Sequence, residues 1–135
     1  MPEDPITRSE EISQSVYTAA MQLYSKGKYT QSLELLTSIK DDEHYAGRDL
    51  YVGNCLLSLD KSVEAIPHFQ DAVNSSNQQI RGHAKWYLAL AYLNVDKSDK
   101  ASALLQELAN SPGHMYQEKS LTLLDKMKWI DYHFW

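Results

Sequence analysis

The chain is organised around residues 50–73, which read LYVGNCLLSLDKSVEAIPHFQDAV. Small and apolar residues recur there at helical spacing on both sides of a short polar break, Asp60-Lys61-Ser62. Two amphipathic helices joined by so short a break fold back on each other as an antiparallel hairpin. Because a single hairpin cannot bury its apolar faces, the pattern predicts further copies elsewhere in the chain.

Two further copies of this pattern are present. The polar break recurs 36 positions later as Asp96-Lys97-Ser98, and a weaker copy of the apolar pattern lies 33 positions earlier. The matching positions are Ala20, Leu23, Ser32, Leu36 and Ile39, then Gly53, Leu56, Ala65, Phe69 and Ala72, then Ala89, Tyr92, Ala101, Leu105 and Leu108. The sequence therefore predicts a helical repeat protein, with Phe69 and Leu105 in its core.

The order of residue types in each copy resembles the tetratricopeptide repeat (TPR), a helix hairpin of roughly 34 residues. Small residues such as Gly53 and Ala89 stand where that family has a small residue on its first helix. Three features depart from the family pattern. Ser32 replaces the usual alanine, Pro112 is only a loose counterpart of the closing proline, and the usual tryptophan is replaced by Val16, Asp49 and Lys85.

The resemblance covers roughly residues 13–128 and implies an all-α fold. It implies a right-handed α-solenoid of three TPR-like hairpins plus a C-terminal capping helix. The expected segments are a disordered lead-in at 1–7, a domain at 8–128 with repeats at about 13–45, 46–80 and 81–114, a capping helix at 115–128, and an aromatic tail at 129–135. The third helix is expected to begin near Glu43, and Pro67 to bend the fourth.

Composition and charge exclude several classes of function. The net charge of −5 argues against a general affinity for nucleic acid or anionic membranes. Residues 1–5 lack the features of a signal peptide, and no apolar run is long enough to cross a membrane. The chain as it stands suits the cytoplasm, or the periplasm if it is a domain of a membrane-anchored protein. Its single cysteine, Cys55, is expected to be a small buried apolar group.

The sequence contains no arrangement typical of catalysis. No two of its five histidines are three or four residues apart, and no HExxH, GxSxG or glycine-rich phosphate loop occurs. The acidic run Asp41-Asp42-Glu43 could suggest a cation site, but it fits the N-terminal dipole of a following helix better. We expect no cofactor, no metal and no small-molecule substrate.

The family resemblance also implies a binding surface. In TPR modules the first helix of each hairpin lines a concave groove that holds a peptide or protein partner. Carried over to this chain, the groove positions are Tyr17, Met21, Tyr24, Leu50, Asn54, Leu57, His83, Trp86, Leu90 and Leu93. Trp86 is the expected anchor, and the alternative is that it only fills the gap between neighbouring helices. The basic residues that grip chaperone tails in some TPR modules are absent, since Tyr17, Met21, Tyr51, His83 and Tyr87 stand there.

These observations predict a non-enzymatic interaction module, of the kind found as scaffold or adaptor in bacterial proteins. The alternative is a self-assembly module that oligomerises through its groove or through residues 129–135. This tail contains Trp129, Ile130, Tyr132, Phe134 and Trp135. It could pack back onto the seventh helix, associate with another copy or contact a membrane interface.

Overall fold

The structure, a computed structural model, describes residues 5–39 and 47–134. Within these residues it consists of seven α-helices joined by turns, and it contains no strand. The helices are α1 (Pro5–Ser25), α2 (Tyr29–Ser38), α3 (Arg48–Ser58), α4 (Ser62–Ala72), α5 (Gln78–Asn94), α6 (Ser98–Ala109) and α7 (Gln117–Phe134). Consecutive helices pack against each other, and α3 also contacts α5. The all-α prediction is confirmed.

The turns α1–α2, α3–α4 and α5–α6 have the same geometry. Each contains one residue in the left-handed region, with φ of 75° at Gly27, 65° at Asp60 and 61° at Asp96. In each, the N–H of the next lysine bonds back to a carbonyl of the preceding helix. The pairs are Lys28 to Leu23 at 2.9 Å, Lys61 to Leu56 at 2.8 Å and Lys97 to Tyr92 at 2.9 Å. This is the bond of a Schellman cap, so the repeated sequence break forms a repeated turn.

Gly53, one of the repeated small residues, lies where α3 and α4 pack closely. A Cβ at Gly53 would lie 2.5 Å from the Phe69 ring, so any side chain there would displace the phenylalanine. Phe69 is fully buried, and its ring stacks 6.1 Å from that of Tyr87 on α5. Ala89 and Leu105, which occupy the equivalent positions of the next hairpin, are also fully buried. The predicted burial of Phe69 and Leu105 in the core is confirmed.

Two departures from the repeat pattern have direct structural explanations. Ser32 is fully buried in place of alanine, and its hydroxyl donates a hydrogen bond of 2.8 Å to the carbonyl of Ala20. Polar side chains at the position of the missing tryptophan link the two helices of their hairpin. Asp49 Oδ1 lies 3.1 Å from His68 Nδ1, and Lys85 Nζ lies 2.6 Å from Glu107 Oε1.

Some predicted boundaries differ from the observed ones. The helix α1 begins at Pro5, so residues 5–7 are helical rather than part of a disordered lead-in, and residues 1–4 lie outside the described residues. The predicted start of the third helix near Glu43 also lies outside them, and α3 is described from Arg48. Pro67 lies inside α4 without ending it, and its side chain is exposed.

The C-terminal prediction was wrong in one respect. Residues 129–134 were expected to form an aromatic tail distinct from the capping helix at 115–128, but they continue α7 as far as Phe134. No glycine or proline follows Gly113, so this segment lacks the two residue types that most often end a helix. Trp129 and Ile130 are 54% and 50% exposed on these last turns. Trp135 lies outside the described residues.

Candidate partner-binding surface

Trp86 and His83, two of the predicted groove residues, meet at Tyr116 in the turn before α7. The rings of Trp86 and Tyr116 are stacked, with centroids 5.1 Å apart and planes 8° apart. The Tyr116 hydroxyl lies 2.7 Å from Nδ1 of His83, within hydrogen-bonding distance. Burial, and next the neighbouring Tyr87, raise the pKa of Tyr116 to about 12, so its hydroxyl stays protonated at neutral pH.

A cleft of about 590 Å³ opens between α5 and α7 beside this stack. From α5 it is lined by Trp86 and Leu90, which were both predicted to face the groove. The turn before α7 and α7 itself supply Met115, Glu118, Lys119, Thr122, Leu123 and Lys126. The cleft therefore has an apolar floor with charged side chains along one edge.

A second aromatic cluster lies on α1, α2 and α3. The Tyr24 ring meets those of Tyr29 and Tyr51 edge-on, with centroids 5.5 Å and 5.4 Å away. Burial is the main cause that raises the pKa of Tyr24 to about 12, the neighbouring Tyr87 adds to it, and a side-chain hydrogen bond from Asn54 acts in the opposite direction. These contacts place Tyr24 beside Asn54, Tyr29 and Tyr51.

Burial divides the predicted groove residues into two groups. Leu50 and Asn54 are only 5% and 6% exposed, so they belong to the core and present almost no surface to a partner. The physical reason is the central place of α3, which packs against α2, α4 and α5. The remaining predicted residues are half-buried against the core: Tyr17, Met21, Tyr24, Leu57, His83, Trp86, Leu90 and Leu93. Of these, Trp86 and Leu90 line the cleft.

The sequence analysis did not identify the α7 side of the cleft. The repeat spacing of 36 residues could have identified it. Applied to the third copy, this spacing places Lys119 at the position of His83 and Lys126 at that of Leu90. The prediction for this segment was a helix that covers the preceding hairpin, without groove positions of its own. Tyr116 precedes α7 in a turn and corresponds to no repeated groove position.

The other chemical features of the described residues are ordinary. They contain no group of three His, Cys, Asp or Glu side chains that could hold a metal ion, and the run Asp41–Glu43 lies outside them. None of the described helices is long and apolar enough to cross a membrane. Cys55 is fully buried, and this burial raises the pKa of its thiol. That environment favours the neutral thiol over the reactive thiolate.

A smaller hollow of about 340 Å³ lies between α5 and the α6–α7 turn. Three of the charged side chains that line it already have partners. Lys85 pairs with Glu107, and Arg81 Nη1 donates to the carbonyls of Ser75 and Ser76 at 2.8 Å and 3.1 Å. The cleft between α5 and α7 is thus the better candidate for a binding surface.

No protein-family model matches the chain, and comparisons with curated proteins and with solved structures also give no match. Its function must therefore be inferred from its own sequence and geometry.

Proposed function

We propose that the chain is a non-enzymatic, TPR-like interaction module that binds a peptide segment of a partner protein, as a scaffold or adaptor does. In this proposal the hairpins stack as a right-handed α-solenoid, and the peptide lies on the face that includes the cleft between α5 and α7. The equivalent turns at Gly27, Asp60 and Asp96 support the proposal, since they join the two helices of each hairpin in the same way, and a solenoid is built from such equal units.

The observation that carries the proposal is the position of Trp86, which is stacked against another ring and also lines the cleft. One face of its ring rests on Tyr116, and the side chain also lines the cleft with Leu90. A tryptophan already held by stacking loses little rotational freedom when a ligand covers it. Aromatic anchors of this kind commonly supply most of the binding free energy of an interface.

Peptide selection from a phage-displayed random library, followed by affinity measurement on Trp86→Ala, tests the proposal. We expect the variant to raise the Kd of selected peptides by about 30-fold, equivalent to about 2 kcal/mol. Its helix content should stay close to that of the native chain, because Trp86 is only half-buried. The control is Val63→Ala on α4, where the side chain is 71% exposed and does not line the cleft.

Two results would contradict this proposal. Normal peptide binding by a folded Trp86→Ala would remove the cleft as the site. If this variant unfolds, Trp86→Phe is the second test, because phenylalanine keeps an aromatic ring against Tyr116 while it shortens the side chain. Native affinity in a folded Trp86→Phe would mean that the indole makes no important contact with the peptide.

A second candidate function is self-assembly, and the exposed residues of α7 favour it. Leu121, Trp129 and Ile130 are 49%, 54% and 50% exposed, which is unusual for large apolar side chains on one helix. If assembly is the function, sedimentation should show a mass that rises with concentration. The double variant Trp129→Ser/Ile130→Ser should then remain monomeric. A native chain that is monomeric at all concentrations would exclude this candidate.

A further inference from the structure

The two walls of the cleft differ in charge. The α5 wall presents Trp86 and Leu90, which are both uncharged, whereas the α7 wall presents Lys119 and Lys126. One acidic side chain, Glu118, also lines the cleft, so the cations outnumber the anions there by two to one. This local excess contrasts with the whole chain, whose net charge is −5.

The lysines have regular positions relative to the apolar floor. Lys126 follows Lys119 by seven positions, which is two helical turns or roughly 10 Å along the axis. Leu123 lies between them on the same wall and faces the side that carries Trp86 and Leu90. The lysines are therefore spaced to meet charges on either side of an apolar group that occupies the cleft.

Neither lysine is neutralised by a carboxylate among the residues that the structure describes. Lys119 Nζ lies 5.7 Å from the ring centroid of Tyr116, a contact that leaves its positive charge uncompensated. Lys126 forms no ion pair with any described residue, and both lysine side chains are exposed. Both charges are thus available to a partner that brings anionic groups.

From this arrangement we infer that the cleft between α5 and α7 binds an acidic, apolar peptide segment of a partner protein. Such a segment places a large apolar side chain against Trp86 and Leu90 and directs Asp or Glu carboxylates toward Lys119 and Lys126. The inference rests on the proposed function and names the chemistry of its partner. The apolar floor supplies contact area, and the lysines select among partners by charge complementarity.

A charge-reversal selection tests this inference without knowledge of the natural partner. The native chain and the double variant Lys119→Glu/Lys126→Glu are each used to select peptides from the same random phage library. We expect the native chain to enrich peptides in which Asp or Glu flanks an apolar residue. The variant should instead enrich peptides in which Lys or Arg flanks it, because the floor is unchanged and the charge of the wall is reversed.

The affinities of the peptides selected by the native chain measure how much the two lysines contribute to binding. Their Kd for the double variant should rise by roughly tenfold at low salt, and the difference should shrink as salt screens the exposed charges. The matched control is Lys128→Glu, an exposed lysine on the same helix that does not line the cleft. This control should select the same acidic peptides as the native chain.

The possible failures separate the two proposals. If the selected peptides bind the double variant as tightly as the native chain but lose affinity for Trp86→Ala, the charge inference is wrong and the proposed function stands. If the native chain enriches no peptide, both are wrong.

A second copy of this chain could also occupy the cleft, because Glu11 and the 62% exposed Ile12 on α1 combine an acidic and an apolar side chain. Self-association of the native chain that is lost in the double variant would therefore overturn the assignment to a separate partner.

Discussion

The helices α5 and α7 share one face of the repeat and differ on another. Under the 36-residue shift, Ala84 and Leu88 of α5 correspond to Ser120 and Leu124 of α7. Ala84 and Ser120 are both fully buried. By contrast, Ala89 and Tyr92 are buried in α5, and the corresponding residues of α7, Asp125 and Lys128, are both exposed.

This difference shows that the same helix pattern can face either a neighbouring helix, as in α5, or water, as in α7. In α5, small and apolar residues such as Ala89 allow α6 to pack closely. In α7, the charges of Asp125 and Lys128 favour contact with water, because burial of an unpaired charge costs several kcal/mol. The helix α7 therefore covers the preceding hairpin without needing a partner helix on that side.

The largest expected effect comes from exchanging the residue types at the equivalent positions 89 of α5 and 125 of α7. Ala89→Asp would place a carboxylate at a fully buried position beside α6, and we expect it to lower the free energy of unfolding by more than about 4 kcal/mol. The matched change Asp125→Ala should alter it by no more than about 0.5 kcal/mol, because Asp125 is exposed. Urea denaturation of both variants measures the contrast. A similar loss in both would mean that this face of α7 is also packed.

A smaller contrast is expected on the face that the helices share. Leu88 is 5% exposed, so Leu88→Ala should cost about 2–4 kcal/mol through lost transfer free energy and the cavity left behind. Leu124 is half-buried, so Leu124→Ala should cost about 1–2 kcal/mol. The same denaturation experiment compares them. Equal costs would show that α7 packs as tightly as α5, contrary to the structure.

Much of the fold could be predicted because the local signals repeat. The break at Asp60 and Asp96 recurs with the same neighbours, and short turns of that kind leave the chain few alternatives to a hairpin. The small residue Gly53 and the bulky Phe69 mark a close helix contact at fixed spacing, and the structure places them together. Helix ends were less predictable at α7, where composition suggested a separate tail although no residue type there favours a break.

The candidate site was less predictable than the fold. The position of a residue within the repeat predicts the direction of its side chain but not the number of helices that surround it. For this reason the burial of Leu50 and Asn54 was not predicted. Trp86 was predicted as the anchor of a groove because no packing position of α5 required it, and in the structure it lines the cleft between α5 and α7. Its support, Tyr116, comes from a turn and could not be deduced from a helical pattern.

The last expected effect is a dependence of stability on pH that develops only in alkali. It concerns Tyr116, beside α5 and α7, and Tyr24, on α1, whose pKa values are both raised from the ordinary value of 10.0 to about 12 by burial as the main cause. A phenol with a raised pKa in the folded state binds its proton more tightly there than in the unfolded chain. Its contribution to stability is therefore complete below about pH 10 and is lost as the pH rises toward about 12.

Tyr116→Phe and Tyr24→Phe should each reduce the steepness of this decline, since each removes one such phenol. Tyr116→Phe should also lower stability by about 1 kcal/mol at neutral pH, because it removes the hydrogen bond to His83. Urea denaturation across this pH range measures both effects, and absorbance titration of tyrosinate identifies the groups. A pH slope identical to that of the native chain in Tyr116→Phe would show that this phenol titrates alike in the folded and unfolded states, and that Tyr116 is less enclosed between α5 and α7 than its contacts with Trp86 indicate.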